Sequence, residues 1–166
     1  YITYDDDITT VDDIYNKIKD SKDFTIKGYT ITVMSAGTDT EDAKTLFRIN
    51  VLDKQVFEDA INKVIKSFIS EEEYNNYINN KQAEIEGTGQ KILNIYFKEN
   101  ISIKETYIST EEKIYTDVDE LSKFLLFGEN AKYEEYTVKP GDTIASIADA
   151  NELNVSEFLV ANSQYK

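Results

Sequence analysis

The residue types that most often carry catalysis are missing from this chain, which has no histidine and no cysteine. Without imidazole or thiol there is no Ser-His-Asp triad, no thiol nucleophile, no disulfide, and no zinc site of the Cys and His type. What remains in quantity is carboxylate: 32 Asp and Glu against 18 Lys and Arg in 166 residues, a formal charge of -14. Grouped carboxylates can hold a hard cation, and a pair of them can cleave a glycosidic bond. Asp5, Asp6 and Asp7 form one acidic run, and Asp117, Asp119 and Glu120 another. Neither has the full alternating-carboxylate loop with its glycine and distant Glu, and each stands where acids favour a helix start, so no metal site is assigned. Pairs such as Glu99 with Glu105 or Asp142 do not stand out from the background of 32 acids, so no catalytic residue and no cofactor is assigned. The same charge repels phosphates, which disfavours nucleic acid and anionic membrane surfaces as partners. Of the 12 Tyr and 8 Phe, Tyr15, Phe57, Phe68, Phe97 and Phe124 fall at helical or strand period and read as core. Tyr74 and Tyr77, on the most polar helix, read as surface.

The elements that would position these groups follow from periodicity, and they predict an α+β fold. Ile2 and Tyr4 suggest a short strand. Thr10 caps a helix with Val11, Ile14, Tyr15 and Ile18 on one stripe, ending near Asp20. Phe24, Ile26, Tyr29, Ile31 and Val33 alternate as a strand with one slip at Lys27 and Gly28, read as a bulge. After a turn at Ser35 to Thr40, Phe47, Ile49 and Val51 pair back as a hairpin. Asp53 caps a helix with Val56, Phe57, Ala60, Ile61, Val64, Ile65 and Phe68 on a broad apolar face. Ser70 and Glu73 have capping-box spacing and open another helix, which Gly87 and Gly89 end. Ile95 with Phe97, and Ile101 with Ile103, predict two strands around Lys98 to Asn100. Asp117 and Glu120 then cap a helix carrying Val118, Leu121, Phe124 and Leu125, closed by Gly128. A weak repeat relates Val11-Asp12-Asp13-Ile14 to Val118-Asp119-Glu120-Leu121, which reads residues 1–20 as the tail of a preceding unit.

The C-terminal part differs in character. Tyr136 and Val138 predict a short strand, the only proline and its neighbour Gly141 make a turn, and Asp142 or Thr143 caps a helix with Ile144, Ile147 and Ala148 inward. Ser156 is placed to cap a second helix carrying Phe158, Leu159 and Ala161. This order, with Tyr136-Thr137-Val138-Lys139-Pro140-Gly141-Asp142-Thr143-Ile144, Ile147-Ala148, Leu153-Asn154-Val155 and Leu159 to Asn162, resembles the lysin motif, LysM. The resemblance implies binding of N-acetylglucosamine glycans, either peptidoglycan or chitin-type oligosaccharides, in a shallow groove. Gly141, Asp142, Thr143 and Ile144 would line one side of it, and Asn162 would begin the other. It also implies a second strand after Lys166, so the module is expected to be C-terminally incomplete as given.

The expected division is therefore 1–20 as a possible repeat tail, 21–132 as an α+β spacer and 133–166 as a partial βαα(β) LysM module. The order of elements from Val51 to Gly128 is similar to the region ahead of LysM in Gram-positive wall-directed zinc endopeptidases. No run of 18 apolar residues occurs, and the start at Tyr1 reads as a processed or truncated product. Abundant Ile, Lys, Asn and Tyr suggest a low-GC bacterium or its phage. The function expected is non-catalytic wall binding and anchoring in a secreted protein, the targeting part of a wall hydrolase. The alternative is a structural component of a phage tail or cell-surface assembly, with protein partners and a virion location.

Overall fold

The structure is a computed structural model and describes residues 10–21, 24–38 and 41–165. The strand expected at Ile2 and Tyr4 and the run Asp5 to Asp7 lie outside the described residues. In order come α1 (Val11–Ser21), β1 (Thr25–Met34), β2 (Thr45–Val51), α2 (Lys54–Ile65), α3 (Glu71–Ile78), β3 (Asn100–Ser109) and β4 (Ile114–Tyr115). They are followed by α4 (Val118–Phe127), α5 (Ile144–Ala150), α6 (Val155–Ala161) and a 3-10 turn at Ser163–Tyr165. The expectation of an α+β fold holds.

β1 and β2 form the expected antiparallel hairpin, from Tyr29 opposite Val51 to Met34 opposite Thr45. β3 pairs antiparallel with the other edge of β1 along its whole length, and the two-residue β4 pairs parallel with β2, giving the order β3-β1-β2-β4. Strand alternation sends Ile31, Val33, Ile49 and Val51 to one face. There they meet Phe57 and Ala60 of α2, Tyr115, and Leu121 of α4, all buried. The ring of Phe124 closes one end edge-on against Phe47 at 5.4 Å. On the other face Thr30 donates to Asn50 Oδ1 at 2.7 Å, and the Asn50 amide donates to Glu112 at 2.8 Å.

Gly28 is not at a bulge. Its register with β3 is unbroken, and the irregularity lies between Val33 and Met34 on the β2 side. Glycine is needed for close approach instead, since a Cβ there would stand 2.6 Å from the Val51 carbonyl oxygen and 2.8 Å from Ile108 Cδ1. The segment around Ile95 and Phe97 is not a strand either. Asn100 already pairs with Met34, the last residue of β1, so everything before Asn100 has run past the strand that could bond it.

Ser70 and Glu73 form the expected capping box of α3, but the helix stops eight residues later, well before Gly87. Asn80 takes φ 53°, and Lys81 N–H reaches back to the Asn76 carbonyl at 2.7 Å, a Schellman stop built on asparagine. α1 forms as expected, with Thr10 and Asp13 bonded reciprocally, but its stripe of Val11, Ile14, Tyr15 and Ile18 is exposed. α4, whose sequence Val118-Asp119-Glu120-Leu121 was compared with its start, instead buries Leu121 completely. Phe68, expected in the core, is 67% exposed in the turn after α2.

The Gly28 contacts generate a direct test. Gly28→Ala should destabilise the chain by about 1–3 kcal/mol, because the Val51 carbonyl is backbone and gives way only by moving β2. Urea unfolding measures it, and an unchanged midpoint would mean that the close approach does not exist.

Candidate functional site

The C-terminal site begins with a four-residue turn, Lys139-Pro140-Gly141-Asp142. Asp142 N–H donates to the Lys139 carbonyl at 3.0 Å, proline holds the second position, and Gly141 takes φ 94° at the third. That is a type II turn, in which the third residue must adopt a positive φ. No atom lies within 4 Å of where a Gly141 Cβ would be, so the requirement is conformational and not one of space. The Asp142 carboxylate closes the turn from outside, accepting from Lys139 N–H at 2.6 Å and from the Tyr136 hydroxyl at 2.9 Å.

The next residue starts α5. Thr143 Oγ1 accepts from Ser146 N–H at 3.0 Å, and Ser146 Oγ accepts from Thr143 N–H at 2.9 Å, a reciprocal capping box. Two of the four residues expected to line the groove, Asp142 and Thr143, therefore have side chains committed to shaping the loop. What the turn leaves exposed is Gly141 and the Ile144 side chain, which is half exposed and not inward as expected. Ile147 and Ala148 are buried as expected.

The strand expected at Tyr136 and Val138 is absent. Residues 131–139 have no regular structure, since among the described residues none pairs with them, and Val138 is exposed. Helix α6 is capped by Asn154, not Ser156: Asn154 Oδ1 accepts from Glu157 N–H at 2.9 Å, and Glu157 accepts from Asn154 N–H at 2.8 Å. With that phase Val160 is the buried residue and Leu159 is half exposed. Asn162 ends α6 with its side-chain amide on the Phe158 carbonyl at 2.9 Å, so it fixes the start of the next segment. Beyond it Tyr165 is 80% exposed, an aromatic ring in the second segment that periodicity did not single out.

Among the described acids weighed as metal or catalytic groups, Asp117, Asp119, Glu120 and Glu105 have separate partners. Asp117 caps α4 by accepting from Glu120 N–H at 2.8 Å, Asp119 meets Lys63 of α2, and Glu120 meets Lys113. Glu105 pairs with Lys27 across β1 and β3 at 2.7 Å and holds that ammonium above its usual pKa, mainly through the hydrogen bond. Among the described residues no cluster of three or more metal-ligating side chains occurs, and no helix is long and apolar enough to cross a membrane. Among the described residues an open cleft of about 590 Å³ lies between α3 and the loop 82–92, lined by Phe68, Asn76, Ile85 and Gln90 among others. Gln82 pins the neck of that loop through two bonds to the Ile92 backbone.

The hydrogen bond to Asp142 raises the pKa of Tyr136 above its ordinary value of 10.0, with smaller contributions from desolvation and the carboxylate charge. A raised phenol favours the closed turn below pH 10, and that contribution is lost as pH climbs through the higher value. The Tyr136 Cζ resonance should therefore titrate later than that of free tyrosine, and Asp142→Ala should move it back down. An unmoved titration would mean that the hydroxyl does not bond Asp142 in solution.

Comparison with known proteins gives one match: residues 136–166 fit the model of the LysM domain family. No curated protein and no solved structure matches the chain. Over those residues the C-terminal segment is thus similar to LysM domains, a non-catalytic module type that binds peptidoglycan and N-acetylglucosamine glycans.

Proposed function

We propose that this chain is a wall-binding segment whose LysM domain holds N-acetylglucosamine glycans of peptidoglycan, or chitin-type oligosaccharides, between the 139–144 turn and the 162–165 segment. The observation that carries the reading is the LysM match falling on a turn already closed by its own side chains. Such a loop presents backbone donors and acceptors at fixed positions, which suits an acetamido group, beside the apolar surface of Ile144 for a sugar face. Neutral sugars do not meet the repulsion that a charge of -14 imposes on polyanions.

In this reading the segment works extracellularly at the cell wall and anchors a larger protein. In the same reading that larger protein is a wall hydrolase, which rests on the order of elements from Val51 to Gly128 alone and without the strand expected at Ile95 and Phe97. Catalysis would then reside outside these 166 residues.

Retention on insoluble peptidoglycan tests the reading. Gly141→Val should weaken it about tenfold, because a β-branched residue resists the positive φ that the turn needs. Tyr107→Ala, on the exposed side of β3, should leave retention unchanged. Equal retention by the Gly141 variant and the wild-type chain would place binding elsewhere.

A further inference from the structure

The LysM domain is not a bead beside the spacer. Helix α6 packs on α4, and it is tied to the spacer at both ends. At its N-cap, the Asn154 amide donates to the Ser67 carbonyl, in the turn after α2, at 2.9 Å. Just beyond its C-cap, Gln164 accepts from the Lys123 ammonium of α4. Val160 and Ser163 between these ties are buried, as is Ser67. Asn154 makes the Ser67 bond with its amide while its Oδ1 caps α6, so one side chain both starts the helix and docks it.

We infer that the spacer is part of the glycan-binding platform: Lys123 and Ser67 position the 162–165 wall of the groove, and docking is coupled to glycan binding. The inference rests on the functional reading above. A wall held in place before the ligand arrives loses less freedom on binding, so a docked module binds more tightly than a detached one. Coupling is reciprocal, so glycan also strengthens docking. Lys123 and Asn154 act here as positioning residues with no contact to the sugar.

Two substitutions break the ties without attacking either fold. Asn154→Asp keeps an excellent cap and removes the donor to Ser67, while Lys123→Met keeps the aliphatic stem and removes the ammonium. Each single variant and the pair should retain the wild-type circular dichroism. In the pair, ¹⁵N relaxation should show residues 144–165 tumbling separately from the sheet, and calorimetry with chitopentaose should show affinity lowered about fivefold. A single tumbling body in the double variant, or two bodies with unchanged affinity, overturns the inference. No heat with the wild-type chain refutes the functional reading instead, and relaxation alone then decides docking, one body in the double variant counting against it.

Discussion

Helix α4 is the element on which both halves of the molecule depend, because it is packed on two sides at once. Its apolar side places Leu121 at zero exposure in the core, flanked by Val118, Phe124 and Leu125, where a leucine contributes about 2 kcal/mol by burial alone. Its Lys123 reaches the segment that follows α6. The helix is started firmly by the Asp117 cap and tied to α2 through Lys63 and Asp119. Moving α4 would open the sheet core and break the Lys123 tie to the C-terminal segment together.

The site itself is economical in side-chain chemistry. The polar groups of Asp142, Thr143 and Asn162 are used to fix backbone: a carboxylate on a turn, a hydroxyl on a helix start, an amide on a helix end. Sugar recognition by such a surface depends on where amides and carbonyls are held and not on a titrating residue, which suits a chain without imidazole or thiol. It also explains why glycine at 141 matters in an open location. The loop would have room for a larger residue, but the backbone angle would not tolerate it.

What the sequence made legible was local. The caps at Asp53, Ser70 and Asp117 and the Pro-Gly turn each depend on a few consecutive residues, and the structure has them at those places. The β1–β2 hairpin was legible because its two alternating runs are neighbours in sequence. The misses came from partners far along the chain or from residues with more than one use. The register of β3 is set by β1, about seventy residues earlier, so the silence of Ile95 and Phe97 could not be read from their alternation. Gly28 looked like a bulge because its true neighbours, Val51 and Ile108, arrive only on folding. Asn80 ended a helix that Gly87 was expected to end, since asparagine also tolerates a positive φ. Asn154 was read as part of a motif, while its two roles, cap and dock, required seeing Ser67 beside it.

In the proposed reading, glycan meets this chain at the 139–144 turn and the 162–165 segment. Titration of the ¹⁵N-labelled chain with chitopentaose, followed residue by residue in amide spectra, detects weak binding as well as strong and locates it. Gly141, Asp142, Thr143, Ile144 and residues 162–165 should shift together along one binding curve, with β1 and β3 unmoved. Shifts confined to the cleft lined by Phe68 and Gln90, or no shift at all, would contradict it.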